Sequence, residues 1–144
     1  MTQTTQFSHL TITAGRILLA LYFLIPGIMK FLAFPAHVDM MTQGNVPFPV
    51  PLLLIAGVAQ VLGAIMLLTN RHVRFASLGF VVYIVLINLM LHDFWTFSGA
   101  AARHELQNFI KNFGILAGLL VLAGASPSRK FNPRTLFQND KRGR

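Results

Sequence analysis

The chain has 144 residues, which is enough for a single domain. Apolar residues make up 54% of it and charged residues only 11%, too few to cover a soluble globule, so a membrane protein is predicted. Because the chain contains no cysteine, its composition excludes disulfides, thiolate metal sites, iron–sulfur clusters and dithiol redox relays.

The net charge of +8 is concentrated near the C-terminus, where six of the 12 lysines and arginines follow residue 128. A basic tail beside hydrophobic segments is typical of a topology signal and of contact with lipid headgroups. The charge therefore predicts the lipid bilayer as a partner and gives no indication of nucleic-acid binding.

The first two apolar segments cover residues 12–34 and 50–69. The residues before the first segment contain no lysine or arginine, and no A-x-A site follows it, so it is predicted to remain as a helix rather than to be cleaved as a signal peptide. Between the two segments lies "QGNVPFPVP", whose prolines end one helix and can open the next.

The third and fourth apolar segments cover residues 73–91 and about 105–124. The polar stretch "TNRHVR" before the third predicts a tight turn between antiparallel helices. A helix needs roughly 20 residues to cross the hydrocarbon layer, so the fold predicted for residues 1–125 is an all-α bundle of four transmembrane helices. Residues 126–144 are predicted to form a basic, loosely ordered cytoplasmic tail.

The distribution of basic residues predicts the orientation. With four spans, the side that holds both termini carries Arg16, Arg71, Arg74 and the six basic tail residues. The other side carries three basic residues offset by three acidic ones, which are Lys30, Arg103 and Lys111 against Asp39, Asp93 and Glu105. The positive-inside rule therefore predicts that both termini are cytoplasmic.

Five ionisable residues are expected near the outer ends of the helices: Lys30, His92, Asp93, Glu105 and Lys111. Two cations and two carboxylates balance each other, which makes charges tolerable in a membrane. The cluster is interpreted either as a functional site or as a structural lock based on an Asp93–Lys111 salt bridge. Lys30 alone also fits a lysine that extends towards the headgroups.

Helical spacing predicts that each of three helices directs one polar stripe into the bundle. On the third segment the stripe is Ser77, Val81, Ile84, Asn88 and His92, and on the fourth it is His104, Gln107, Lys111, Gly114 and Gly118. On the second segment it is Ala56, Gln60 and Gly63. Trp95 also fits an aromatic belt at the membrane interface. The two pairs His92-Asp93 and His104-Glu105 lack a fixed geometry, so no metal site is predicted.

The motifs "GRILLALYFLIPGIMKF", "HDFW" and "FIKNFGILAGLL" in this order resemble the DoxX-like family, over residues 11–125. The resemblance implies a four-helix protein of the bacterial inner membrane, and some members are named as subunits of quinone-linked oxidoreductases. The residues that match the family's motifs lie on the first, third and fourth helices: Arg16, Gly27, Lys30, His92, Asp93, Trp95, Lys111 and Asn112. Similar sequences often carry a glutamate where "GVAQVLGA" has Gln60, which can only form hydrogen bonds.

Two functions are weighed most closely. The first is a scaffold or accessory subunit of a membrane complex, with partner subunits or further copies of the chain. The alternative is a quinone-reactive subunit, in which His92 and Asp93 are catalytic, since an imidazole exchanges protons near neutral pH. Five residues would then contact the quinone: Lys30, Lys111, Trp95, Gln60 and Asn112. A transporter is a third hypothesis, because Pro26-Gly27 interrupts the first helix. No cofactor is encoded in the sequence.

Overall fold

The structure, a computed structural model, describes residues 2–128 and 139–140, with side chains from residue 8 onwards. These residues form helices and connecting turns without a strand. The helices are α1 (Thr2–Leu32), α2 (Phe34–Gln43), α3 (Pro49–Leu68), α4 (Val73–Leu91), a 3₁₀ turn (Phe94–Thr96) and α5 (Gly99–Ala125).

Four of the helices are long and apolar enough to cross a membrane, which confirms the predicted four-span bundle. The spans are Ser8–Leu32, Pro49–Leu68, Val73–Thr96 and Gly99–Ala125. Two helices extend beyond their predicted starts, because α1 begins at Thr2 and α5 at Gly99. Hydropathy marks only the part of a helix that suits hydrocarbon, and the polar turns that precede it carry no such signal. Most of the predicted tail lies outside the described residues.

Helix α2 was not predicted. It follows α1 after Ala33 and has proline in its first turn, where a missing N–H removes no helical hydrogen bond. Its apolar residues Phe34, Val38 and Met41 recur at i, i+4 and i+7, and they pack against Leu53 of α3. This short amphipathic pattern was present in the sequence, but ten residues are too few to register as a span.

The two ends of the bundle are distinguished by the connections that they carry, and they are called the turn end and the loop end. The turn end carries residues 69–72 between α3 and α4, and the loop end carries α2 and residues 92–98. The turn is tight, as predicted, and it places Asn70 (φ 54°) and His72 (φ 47°) in the left-handed region. Because only four residues join the two helices, α3 and α4 run antiparallel.

Aromatic rings fill the centre of the bundle. Phe23 of α1 stacks on Phe80 of α4 with ring centroids 3.7 Å apart and an interplanar angle of 6°. Gly63 of α3 makes room for the second ring, since a Cβ at this position would lie 2.6 Å from Cζ of Phe80. Around this layer α1 packs most extensively on α3, and α4 on α5.

Large apolar side chains cover the outside of the spans. The most exposed of them include Leu18 (67%), Ile25 (61%), Ile55 (64%), Val82 (60%) and Val121 (73%). A soluble protein rarely leaves so much apolar surface in contact with water. In a membrane-embedded bundle these side chains contact the lipid bilayer.

Candidate functional site

The predicted polar cluster begins with an ion pair at the loop end. His92 ends α4 and Glu105 lies in the second turn of α5, and Nδ1 of the imidazole is 2.7 Å from Oε2 of the carboxylate. The two side chains are 22% and 21% exposed. A contact this short between α4 and α5 joins the ends of the two helices.

Asp93 and Lys111 do not form the expected salt bridge. The Asp93 carboxylate accepts a hydrogen bond from Oγ1 of Thr96 at 3.0 Å, and its backbone carbonyl accepts another from the same hydroxyl at 2.9 Å. Lys111 is exposed on α5. Asp93 therefore stabilises the 3₁₀ turn that follows it, and the carboxylate that faces the neighbouring helix is Glu105.

A buried amide pair lies deeper in the bundle. Asn112 of α5 donates from Nδ2 to Oδ1 of Asn88 on α4 at 2.7 Å, and Asn88 donates in turn to the backbone carbonyl of Phe109 at 3.3 Å. The Tyr22 hydroxyl of α1 donates to Oδ1 of Asn112 at 3.5 Å. This network joins three helices, and within it the side-chain amide of Asn112 is hydrogen-bonded to other groups of the bundle. The contribution of Tyr22 was missed, because nothing in its sequence context distinguishes it from other lipid-facing aromatics.

Lys30 and Gln60 belong to the other helix pair. Lys30 is half-buried on α1, and its Cβ lies 3.5 Å from where a Cβ of Gly57 on α3 would be. Gln60 is only 2% exposed, and its Oε1 is buried without a hydrogen-bond partner among the described residues. The structure thus divides the predicted site into a group on α4 and α5 and a group on α1 and α3.

Trp95 lies in an aromatic cluster at the loop end. Its ring centroid is 5.2 Å from that of Phe94 and 6.2 Å from that of Phe109, and both pairs meet edge to face. The indole is 56% exposed. An exposed tryptophan beside the end of a span is typical of the membrane interface.

Of the predicted polar stripes, those on α3 and α4 face the bundle interior. Ser77, Ile84 and Asn88 are buried on α4, as is Gln60 on α3. The stripe on α5 faces outward instead, so this part of the prediction was wrong. Its members are exposed except for half-exposed Gly118: His104, Gln107, Lys111, Gly114 and Gly118. The buried side of α5 is the one that carries Asn112, Leu119 and Leu122.

A lateral opening, hereafter the α3–α4 cleft, separates α3 from α4. Its volume is about 590 Å³, and its walls are mostly apolar. The lining includes Gln60, Gly63, Gly79, Phe80 and Tyr83. A second opening of about 270 Å³ continues towards the loop end and shares Ala59, Gly79 and Tyr83 with the first. No sequence signal marked this cleft, because it depends on how far two helices diverge.

Polar contacts at the turn end connect distant parts of the chain. Arg16 of α1 donates to the last carbonyls of α3, those of Leu67 and Leu68, where a cation also suits the helix dipole. Asp140 lies at the start of α4 and accepts a hydrogen bond from the Val73 amide through Oδ2 at 2.8 Å. Its own amide donates to the Asn70 carbonyl at 2.8 Å. Residues 139–140 of the tail are therefore packed against the α3–α4 turn.

Metal ligation is not built into the described part of the chain. Residues 2–128 and 139–140 contain no group of three or more histidine, aspartate or glutamate side chains that could hold a metal ion.

Comparisons with known proteins agree with this architecture. The family model DoxX matches residues 11–93. The inner membrane protein YphA of Escherichia coli K12 is 30% identical over 113 residues, which cover 78% of this chain and 81% of that protein. An uncharacterized protein of Haemophilus influenzae is 36% identical over 107 residues, covering 74% of this chain and 72% of its own length. No solved structure matches the chain.

The family match covers more than half of the chain, and the first relative matches four fifths of its own length. Together with the four membrane-spanning helices, these similarities identify a multi-pass protein of the bacterial inner membrane. The chain belongs to the DoxX family.

Proposed function

We propose that this protein is a scaffold or accessory subunit of a membrane complex, and that the outward face of α5 binds a helix of a partner subunit. Lys111 is the observation that carries the proposal. Its side chain is exposed within a membrane-spanning helix and forms no hydrogen bond or ion pair with a described residue. A charge in this position calls for a counter-charge from outside the chain.

The depth of Lys111 supports this reading. It follows Gly99, the first residue of α5, by 12 positions, which places it about 18 Å along the helix axis. A lysine near the end of a span can extend its ammonium group to the headgroups, and this becomes harder with each turn inward. A partner side chain at the same depth would remove the need for that extension.

Glycines continue the same face. Gly114 has no atom within 4 Å of the place that a Cβ would occupy, and Gly118 has only a Leu19 methyl at 4.0 Å. Within the bundle, therefore, neither glycine is required for close packing. Small residues four apart on a membrane helix allow a second helix to approach closely, and they are common at helix interfaces.

The chemistry of the face favours a different protein over a second copy. In a two-fold symmetric dimer, two identical α5 helices would contact each other at the same depth. Lys111 would then lie near its counterpart, and two like charges repel strongly in a medium of low dielectric constant. A partner with a carboxylate or a carboxamide in its membrane helix satisfies Lys111 without this penalty.

The quinone-reactive alternative is less well supported. His92, Asp93 and Asn112 are hydrogen-bonded to protein groups, so they are less free to contact a bound ring. The two other polar groups assigned to the quinone, Lys30 and Gln60, belong to a different pair of helices. The redox reading requires these residues to converge on one site.

Co-purification with matched variants tests the proposal. The tagged parent, Lys111→Met, Gly114→Leu and Gly79→Leu are extracted from native membranes in digitonin and compared on native gels. Gly79→Leu is the control, because this position on α4 also has no atom within 4 Å of an added Cβ. We expect the parent and the control to migrate as a larger complex, and the two α5 variants to migrate as the free chain. Equal migration of all four would contradict the proposal.

A further inference from the structure

The α3–α4 cleft has the features of a ligand site that is independent of the α5 face. It lies between two membrane-spanning helices, which contact each other less than α1 contacts α3. Its walls are largely apolar, and Gly79 leaves open space there, since an added Cβ would have no atom within 4 Å. At about 590 Å³ the cleft is in the range of small-molecule sites, roughly 300–1,000 Å³.

Gln60 is the polar feature of this apolar wall. It is the twelfth of the 20 residues of α3, so it lies near the middle of the span. The side chain is 98% buried, and Oε1 of its carboxamide is buried without a hydrogen-bond partner among the described residues. A polar group without a partner costs several kcal/mol in hydrocarbon, because the bilayer core offers no water.

Gln60 lies between helix α1 and the cleft. A Cβ on Gly27 of α1 would lie 2.9 Å from the Cβ of Gln60, so the two backbones are in close contact there. Gln60 therefore has the backbone of α1 close to its Cβ on one side, and it lines the cleft on the other. A molecule bound in the cleft would therefore lie next to the Gln60 side chain.

We propose that the α3–α4 cleft binds a lipid-soluble molecule whose uncharged oxygen forms a hydrogen bond with Gln60. A carboxamide can donate to a carbonyl oxygen and can accept from a hydroxyl, so either oxygen is suitable. The lining around Gln60 carries no charge, so an uncharged ligand oxygen suits this depth, whereas Arg71, which also lines the cleft, lies at the turn end. The rest of the ligand is a chain that follows the cleft into the second opening, past Gly79 and Tyr83.

Two kinds of membrane molecule share this chemistry: a quinone presents a ring carbonyl, and a long-chain alcohol presents a hydroxyl. The probes are decylubiquinone and farnesol, each titrated into the full-length protein in phosphatidylcholine nanodiscs, with oleate as an anionic comparison. Three variants accompany the parent. Gln60→Leu removes the carboxamide, Gly79→Leu fills the cleft at a position with open space, and Gln107→Leu is the control on the outward face of α5.

We expect saturable binding of at least one neutral probe to the parent and to Gln107→Leu. Gln60→Leu should weaken it about tenfold, the upper range for one uncharged hydrogen bond, and Gly79→Leu should abolish it. Binding of decylubiquinone alone assigns a carbonyl ligand, binding of farnesol alone assigns a hydroxyl ligand, and binding of both supports the shared oxygen.

The proposal is overturned if neither probe binds, if oleate binds more tightly than both, or if Gln60→Leu and Gly79→Leu bind like the parent. A thermal melt of each variant shows that the bundle is intact. Because Gly79→Leu leaves the α5 face untouched and Gly114→Leu leaves the cleft untouched, failure here is distinguishable from failure of the scaffold proposal.

Discussion

Asn112 donates to Asn88 across the interface of α4 and α5 over 2.7 Å, and both side chains are buried. In hydrocarbon this amide pair has no water to replace a lost partner. Because the Asn88 amide also bonds to the Phe109 carbonyl of α5, the pair sets the register of the two helices as well as their separation.

Replacing Asn112 with leucine should destabilise the bundle. The change leaves Oδ1 of Asn88 without its donor, and we expect the unfolding free energy to fall by about 1–2 kcal/mol. Unfolding in mixed micelles of increasing dodecyl sulfate content, followed by circular dichroism, measures this. The double variant Asn88→Leu/Asn112→Leu should recover part of the loss. A single variant as stable as the parent would show that the hydrogen bond contributes nothing.

The loop-end ion pair predicts different effects for two charged residues of α5. Glu105→Leu removes the partner of His92, and we expect a loss of about 1 kcal/mol, because the pair is only partly buried. Lys111→Met should stay within about 0.5 kcal/mol of the parent, because Lys111 contacts no carboxylate of the bundle. The same detergent titration compares them. A larger loss for Lys111→Met than for Glu105→Leu would mean that Lys111 has a partner within the chain.

The aromatic core makes Gly63 intolerant of a side chain. A methyl group there would lie 2.6 Å from the ring of Phe80, which its stack on Phe23 holds in place. We expect Gly63→Ala to lower the unfolding free energy by about 1–3 kcal/mol through overpacking. Gly124→Ala, at a helical position with open space, should be neutral or slightly stabilising. If the two alanine variants were equally stable, α3 and α4 would have to lie further apart than described.

Asp140 should stabilise the start of α4. Its carboxylate accepts from the Val73 amide, whereas the residue at the helix N-cap, His72, provides no side-chain cap. We expect Asp140→Ala to cost about 1 kcal/mol, the usual value of a lost N-cap. Asp39→Ala, which removes an exposed carboxylate from α2, is the control and should have little effect. Equal melting temperatures for parent and Asp140→Ala would contradict the contact.

The predicted orientation can be measured directly, because the chain has no cysteine. A single cysteine is placed at Ser98 of the loop end or at Ser128 of the turn end, and spheroplasts are treated with a membrane-impermeant maleimide. The excess of basic residues at the turn end predicts that Ser98→Cys is labelled in intact spheroplasts and Ser128→Cys only after lysis. The reverse pattern would place the termini outside the cytoplasm.

Much of the fold could be predicted because membrane-spanning helices can be recognised in a sequence by their length and hydropathy. The inward stripe of α4 was predicted as well, since buried Ser77 and Asn88 interrupt an apolar helix at helical spacing. The same reasoning failed on α5, where Lys111 and Asn112 are adjacent polar residues that point to different sides of the helix. Periodicity identifies a stripe, but it does not say whether the stripe faces the bundle or a partner.

The site was harder to predict because it depends on pairing between helices. The expected partner of Lys111 was Asp93, since both were predicted to lie near the outer ends of their helices. Asp93 instead accepts a hydrogen bond from Thr96, three residues further along the chain. The carboxylate that contacts a histidine is that of Glu105, and the histidine is His92, the neighbour of Asp93. The α3–α4 cleft depends on the divergence of two backbones, which no residue pattern encodes. Asp140 was missed because a polar tail gives no signal of where it will dock.

Photo-crosslinking tests the scaffold claim most directly. Benzophenone alanine replaces Ile110, one turn before Gly114 on the outward face of α5, or Ile25 on α1. The two positions are matched in exposure, at 59% and 61%. We predict that irradiating native membranes gives one discrete protein adduct from position 110, lost when Lys111→Met is added, and only lipid adducts from position 25. An adduct-free position 110, or an adduct with the mass of two copies of the chain, would contradict a different partner subunit on α5.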